Sequence, residues 1–493
     1  MGKYAEVVLP FGAPGADFYT YAVPEELTSL VKLGQRVLVP FRNSIREGII
    51  WNISAEPGHA GEIRSLYTVL DEKVYINETL KSVAMWMSEQ NLYPLGDALR
   101  CIIPAAIWGK WQKTLKPAAP WHEIEKALLE LAISREAATN FISAFKEHLQ
   151  AKKEISGSNY LDKHILRKLM QKRLLTEKYE LTGQSVTTKK AAAYRVATNI
   201  DSIQEKLNSK QSEILHYIAS HKNCVYRHEL LAAGLSASSL ETLVKKGILE
   251  KILVPVRRVP TALQQQISTK VHKLTAEQEA AFRQIISSVQ RKKGEIILLH
   301  GITGSGKTEV YLQSLEEVLK LGMTGIYLVP EISLTAQTIE RVISRFGDAV
   351  AVLHSGLSDG ERYDEWFRIL RSEVKIVVGA RSAIFAPLSD IGLIIIDEEH
   401  ENTYKQDEHP RYHAREVAEK MCQLAGITLV LGSATPSVES YYKTTTGQYR
   451  IARLATRIGG ELPPVEIIDL REEFKKGNRQ VLSEKLFSAV KQT

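Results

Sequence analysis

Two short stretches hold residues whose types and spacing suit phosphate chemistry. Residues 301–308 read GITGSGKT, filling the pattern G-x-x-x-x-G-K-[ST] with Gly301, Gly306, Lys307 and Thr308, and with Gly304 and Ser305 inside the loop. Glycines let backbone N–H groups turn inward around phosphate oxygens, and the start of the following helix adds partial positive charge. Lys307 can reach the β- and γ-phosphates of ATP, and the Thr308 hydroxyl can ligate Mg²⁺. The second stretch, LIIIDEEH (393–400), puts Asp397 at a strand end, where it can hold Mg²⁺ through water, and Glu398 beside it, where it can orient or deprotonate an attacking water. Acidic residues after a strand mean little alone, since a solvated acidic turn has the same composition. Paired with the phosphate loop in one α/β domain, they point to ATP hydrolysis. In LTAEQEAAF (274–282), Gln278 carries an amide that both donates and accepts and so could read the adenine edge, although a surface glutamine is more often merely solvated.

These residues need elements to hold them. EIILLH (295–300) is strand-like and precedes the loop, and EVYLQSLEEVLK (309–320) is helix-like and follows it. From residue 271 the near-continuous apolar runs EIILLH, GIYLVP, AVAVLH, KIVVGA, LIIIDEEH and TLVLGSATP alternate with helical patterns. That alternation predicts a parallel sheet covered on both faces, with the phosphate loop at the C-terminal end of its first strand. YLVPEISLTAQ (327–337), LHSG (353–356) and VVGARSAIFAPL (377–388) follow later strands. Their small and hydroxyl residues and free amides can track a phosphodiester backbone, though periodicity alone favours ordinary βα loops. GSATPS (432–437) could couple the nucleotide site to a neighbouring lobe. NTYKQDEHPRYHAREVA (402–418) interleaves aromatic and charged residues, which suits single-stranded DNA by stacking and charge; a polar surface loop fits the same composition.

The rest of the chain reads differently. Residues 1–105 carry short β-branched and aromatic runs (AEVVLPF, FYTYAVP, QRVLVPF, REGIIWNI) between Gly, Pro and Asn, and predict a β-rich module with an amphipathic helix at 80–90. KTLKPAAP (113–120) reads as a looser junction, because Pro117 and Pro120 oppose a continuous helix. Residues 121–255 are helical in pattern, with a first helix at 208–220 capped near Asn208 or Ser209, and a helix–helix–helix–strand order that outlines a winged helix. LDKHILRKLMQKRLLTEKYEL (161–181) aligns with LSASSLETLVKKGILEKILVP (235–255), matching Leu166 with Leu240, Leu169 with Leu243, Leu174 with Ile248 and Leu175 with Leu249. This suggests a tandem pair, against the alternative that any two amphipathic helices ending in a basic and two apolar residues will align. Residues 256–270 read as a linker.

Bulk properties set bounds. The 493 residues suggest two to four domains, 44% hydrophobic and 25% charged residues are ordinary for a soluble protein, and a net charge of +7 permits a polyanionic partner. Cys101, Cys224 and Cys422 form no C-x-x-C pair, so the chain offers neither a zinc site nor a disulfide framework, as fits a reducing cytoplasm. No run suits a transmembrane helix or a signal peptide, and Glu6 breaks the N-myristoylation pattern.

GITGSGKTEVY, VPEISLTAQ, HSG, GARSAIFAPL, DEEH, YKQDEHPRYHAR and GSATPS, in this order, resemble superfamily 2 helicases, and among them the PriA family of bacterial replication restart. FYTYAVPEEL and GQRVLVPF resemble that family's module for capping the 3′-OH end of a nascent strand. The resemblance spans nearly all of the chain, most weakly 110–255, where one winged helix is usual. It implies a multidomain α/β protein divided as 1–105 (3′-end DNA binding), 121–255 (winged-helix-like), 256–270 (linker), 271–455 (RecA-like ATP-binding lobe) and 456–493 (start of a connector). It implies ATP and Mg²⁺ at Lys307, Thr308, Asp397 and Glu398, and coupling of hydrolysis to DNA by His400. It implies DNA contacts by Arg381 and by Tyr404, Lys405, Arg411, Tyr412, His413 and Arg415. In the 3′-end pocket, with Arg64, many members have Phe-Asp-Tyr where this chain has Tyr19-Thr20-Tyr21, and a glycine where it has Arg42, so base preference there is open while stacking by Tyr19 and Tyr21 is expected.

The implied partners are forked and single-stranded DNA, primosome proteins and single-stranded DNA-binding protein, in the bacterial cytoplasm and away from membranes. The family's second motor lobe, arginine finger and zinc-binding cysteines have no counterpart before Thr493, so weak ATP binding and poor hydrolysis are expected of this chain. Three functions follow: a 3′→5′ replication-restart helicase, a non-hydrolysing adaptor that caps 3′ ends at forks, or another superfamily 2 translocase. The last leaves residues 1–105 unexplained.

Overall fold

The computed structural model describes residues 3–11, 17–42, 44–57, 61–109, 111–131, 133–151, 163–181, 190–197, 207–221, 224–255, 258, 272–458 and 465–492. The expected linker 256–270 lies outside the described residues apart from Arg258, which pairs with Asp364 at 3.1 Å.

The N-terminal strands form a five-stranded antiparallel sheet in the order Tyr19–Val23, Lys3–Val8, Ser44–Ser54, Gln35–Phe41, Thr68–Val74. Period-2 alternation gives it two apolar faces. Ala5, Val7, Tyr21, Val37, Val39 and Ile50 fill one. Val8, Ile49 and Trp51 face a core built with the helices Glu78–Asn91 and Leu95–Ile102. The first of these helices is N-capped by Asn77, whose side-chain Oδ1 accepts from Leu80 N at 2.9 Å. The same core continues without a break into the helicase-like lobe through Trp366, Phe385, Val417 and Met421. Asn77 Nδ2 also donates to Leu388 O (3.3 Å), and His409 Nε2 lies 3.1 Å from Asp97.

Two small units lie between, each with its own core. In the first, Trp111–Pro117 pairs antiparallel with Leu175–Leu181, and the helices Trp121–Glu130, Arg135–Ala151 and Lys163–Gln171 pack over Ile124, Leu128, Phe141, Leu166 and Leu169. In the second, Lys190–Val196 pairs with Leu249–Pro255, and Ser209–Ala219, Arg227–Ala232 and Ala237–Lys245 pack over Ile214, Leu230, Leu240 and Leu243. Asn208 caps this unit's first helix in a capping box with Gln211. The positions paired in the sequence alignment are buried or packed against the core in both units. The expected loose junction at 113–120 is instead largely strand. Pro117 sits at its last position, and Pro120 occupies the N-cap of the next helix, where no N–H is needed.

The lobe from residue 272 holds a parallel seven-stranded sheet in the order Val350–Leu353, Ile376–Gly379, Thr324–Leu328, Ile391–Ile396, Thr428–Ser433, Ile296–Gly301, Arg450–Leu454. Its central strands alternate between two cores: Leu298, Ile394 and Ile396 face one, and Ile297, Leu299, Leu393 and Ile395 the other. This explains the uninterrupted apolar runs. Helices Leu470–Lys475 and Glu484–Gln492 follow, with Phe474 and Phe487 half exposed.

Candidate nucleotide and DNA sites

The phosphate loop joins Ile296–Gly301 to the helix Lys307–Lys320. Gly304 and Gly306 both have φ of +79°, a left-handed conformation that side chains other than glycine adopt at a cost. Lys307 Nζ donates to Gly301 O at 2.9 Å and lies 3.6 Å from Glu398 Oε1. Thr308 is half-buried at the first turn of the helix. Among the described residues Ser305 Oγ is buried without a hydrogen-bond partner, a donor held inside the loop. These features fit a bound polyphosphate: turned backbone amides, a cation, and an unsatisfied hydroxyl.

Gln278 departs from its expected role. It is 2% exposed, its Oε1 accepts from Thr275 N (2.9 Å), and its Nε2 donates to Ser305 O (2.8 Å). Both ends of the amide are engaged, so it braces the phosphate loop against the N-terminus of the helix Ala276–Arg291 rather than presenting a free edge to a base.

Asp397 follows the strand Ile391–Ile396 and accepts from Tyr311 Oη (3.0 Å), Tyr327 Oη (3.5 Å) and Glu398 N (3.1 Å). Burial, and next the charge of Glu398, pushes its carboxyl up to about 6. Glu398 has φ of +43°, a strained backbone at a site that must hold a side chain in one place. His400 Nδ1 lies 2.8 Å from Ser433 Oγ, which also accepts from Thr435 N at 3.0 Å, so His400 links the acidic motif to GSATPS.

The residue that the motif reading missed is Glu399. Its carboxylate is buried and accepts from Ser437 N (2.7 Å), Ser437 Oγ (3.1 Å), Ser440 Oγ (2.9 Å) and Arg415 Nη1 (2.7 Å). Burial alone would raise its pKa, but the Ser437, Arg415 and Ser440 hydrogen bonds outweigh it and hold the carboxyl below its ordinary range. The only sequence signal was its place between two residues with assigned roles.

The aromatic loop is also rearranged relative to expectation. Tyr404 is 1% exposed and its hydroxyl donates to Asp397 O at 2.6 Å; Tyr412 is 6% exposed and packs edge-on against Phe385. Neither ring is open for a base to stack on. The short ladder Lys405–Gln406 with Tyr412–His413 turns the rings inward to the core. Arg415, expected at DNA, is spent on Glu399, Ser437 and Ser440. His413 accepts from Arg415 N at 3.2 Å, and burial, then Arg415, lowers its pKa to about 4. Lys405 and Arg411 remain exposed cations, paired respectively with Asp407 (3.0 Å) and the Asp407 carbonyl (2.9 Å). Arg381 reaches the carbonyls of Thr403 (3.3 Å) and Lys405, which ties VVGARSAIFAPL to this loop.

VPEISLTAQ, HSG and GARSAIFAPL leave the C-terminal ends of three neighbouring strands. Glu331 and Ser355 are hydrogen-bonded across two of them. A cleft of about 380 Å³ runs from these loops to the N-terminal module, lined by Arg100, His354, Arg362, Ser382, Gln406 and His409.

In the N-terminal module, Tyr19 packs edge-on against Phe41 (5.1 Å) and Arg64 Nη1 donates to Arg42 O (3.0 Å), which brings Tyr19, Arg42 and Arg64 together through the strand that ends at Phe41. Arg42 has φ of +52°, the conformation a glycine would adopt freely. Tyr21 is a correction: it is 4% exposed in the sheet core, with its hydroxyl on Pro40 O at 3.1 Å, and has no face free to stack. Thr20 opposes Glu6 and, by strand alternation, lies on the other face from both tyrosines. Phe11, 6.1 Å from Phe41 and under the Arg46 guanidinium (5.0 Å), extends the patch beyond the residues singled out in the sequence.

Among the described residues no helix is long and apolar enough to cross a membrane, and no group of three His, Cys, Asp or Glu side chains could hold a metal ion.

Comparison with known proteins finds likeness in both parts of the chain. Residues 6–104 match the PriA 3′ DNA-binding domain (3′BD), and residues 275–444 match the DEAD/DEAH box helicase family. The replication restart protein PriA of Bacillus subtilis is 37% identical over 500 aligned residues, covering 100% of this chain and 60% of that protein. That of Synechocystis is 35% identical, covering 96% of this chain and 57% of its own length. That of Treponema pallidum is 46% identical over 226 residues, 46% of this chain and 33% of its own. The chain spans about 60% of the length of the first relative. Both family matches lie in order along one chain, and over its whole length the chain is similar to the replication restart proteins PriA.

Proposed function

We propose that the chain is the fork-recognising and ATP-binding portion of a 3′→5′ DNA helicase that restarts replication at stalled or abandoned forks. One observation carries this reading. The phosphate-loop lysine and the acidic motif converge (Lys307 Nζ to Glu398 Oε1, 3.6 Å) in a lobe that shares one core with a β-rich module bearing exposed cations and aromatics. ATP would lie on the phosphate loop, its phosphates cradled by the amides after Gly304 and met by Lys307. Thr308 and Asp397 would hold the accompanying Mg²⁺, which neutralises phosphate charge when bound. Glu398 would orient the attacking water, and His400 would report the state of the site to GSATPS through Ser433. Single-stranded DNA would follow the cleft of Arg100, Arg362 and His409 past the exposed Lys405 and Arg411. The 3′ end would meet Tyr19, Arg42 and Arg64. Primosome proteins and single-stranded DNA-binding protein are its partners, in the bacterial cytoplasm.

The test compares two forks that differ only at the leading-strand end, 3′-OH against 3′-phosphate, at fixed salt, because phosphate contacts make affinity salt-dependent. Tighter binding to the free 3′-OH is expected. Equal binding would remove end recognition from the reading and favour a general translocase.

A further inference from the structure

The segment after the last strand of the parallel sheet, Arg450–Leu454, turns back over the phosphate loop. Ile302 N donates to Leu454 O (3.3 Å), and Ile458 N donates to Gly304 O (2.9 Å). Thr456 is tied to the opening helix of the lobe: its N and Oγ1 donate to the Glu277 carboxylate at 3.0 and 3.1 Å. Arg457 lies between these anchors. A methyl group added at Gly304 would stand 3.0 Å from Arg457 Nε, and one at Gly306 would stand 2.7 Å from Ile458 Cδ1. The two left-handed glycines therefore admit not only phosphate but also this segment. Arg457 is half-buried and forms no hydrogen bond or ion pair among the described residues. The neighbouring Glu277 carboxylate is engaged with Thr456, and Glu398 faces Lys307.

An unpaired guanidinium held beside a phosphate loop by four backbone and hydroxyl hydrogen bonds has a chemical complement. A guanidinium presents a planar fork of N–H donors that matches phosphate oxygens and keeps its charge at any working pH. We infer that Arg457 is a nucleotide-binding residue: it supplies a second cation, besides Lys307, to the phosphates of a nucleotide seated on residues 301–308. This rests on the ATP reading of that loop. Thr456 and Ile458 hold the arginine in place, and through them nucleotide occupancy reaches the chain that leaves the lobe.

Titration calorimetry of the full chain with ADP and with AMP, in Mg²⁺ at fixed salt, tests this. Arg457→Ala and Arg457→Gln should weaken ADP roughly tenfold or more, narrow its advantage over AMP, and leave the thermal melt in place; Arg457→Lys should recover part of the loss. Unchanged ADP affinity in Arg457→Ala would overturn the inference. So would tighter affinity, since it would make the side chain a plug rather than a ligand. Lys307→Ala separates the two readings. If ADP binding depends on Lys307 and ignores Arg457, this inference alone falls. If the wild-type chain does not bind ADP, or binds it independently of Lys307, the nucleotide reading falls with it.

Discussion

Glu399 is the most heavily bonded carboxylate of the acidic motif, and its backbone N–H donates to Gly432 O of the neighbouring strand at 3.0 Å. It gathers Arg415, Ser437 and Ser440 into one buried charge network. Replacing it by glutamine leaves the Arg415 charge without its main partner, so Glu399→Gln should cost about 3 kcal/mol in urea unfolding. Arg42 makes the opposite prediction. Its left-handed backbone costs an L-residue about 1 kcal/mol, so Arg42→Gly should be neutral to stabilising in the same assay while weakening fork binding. The thiols offer a third check. Burial pushes Cys101 up to about 12 and Cys422 beyond the usual thiol range, while Cys224 is half-exposed. A thiol reagent at neutral pH should label Cys224 and spare Cys422 until the chain unfolds. At this scale the sequence was only partly legible. GITGSGKT and DEEH declare themselves because phosphate chemistry restricts both type and spacing. Tyr404, Tyr412 and Tyr21 misled because an aromatic among charges has the same composition whether its ring faces a base or a core.

Among elements, the helix Ala276–Arg291 has the clearest double duty. Its capping box of Thr275 and Gln278 satisfies the helix start and, through Gln278 Nε2 on Ser305 O, fixes the phosphate loop. Thr275→Ala should cost about 1 kcal/mol by chemical denaturation, and Gln278→Ala should also weaken ADP binding, as calorimetry would show. The parallel strands could be foreseen because burial on both faces leaves continuous apolar runs. The strand Trp111–Pro117 could not. Its partner, Leu175–Leu181, lies far along the chain, and two prolines obscured a pattern that only the pairing makes sense of.

At the scale of the molecule, the cores differ in ownership. The units at 111–181 and 190–255 each close over their own side chains. The N-terminal helices and the helicase-like lobe do not, because Leu80, Met87 and Leu99 lie in one cluster with Phe385, Val417 and Met421. A chain cut to residues 272–458 should therefore melt well below the intact protein and bind an apolar dye, whereas a fragment of 190–255 should keep its helical circular dichroism.

That shared core also decides what can be transplanted. A module with its own interior can be exchanged between relatives as a cassette. Here the face of the N-terminal module and the face of the helicase-like lobe must fit side chain to side chain, so a chimera carrying residues 1–107 from another lineage would inherit mismatched halves of one interior. Substitutions on either side become tolerable only in company, and the N-terminal module and the lobe that carries the phosphate loop are bound to a common history.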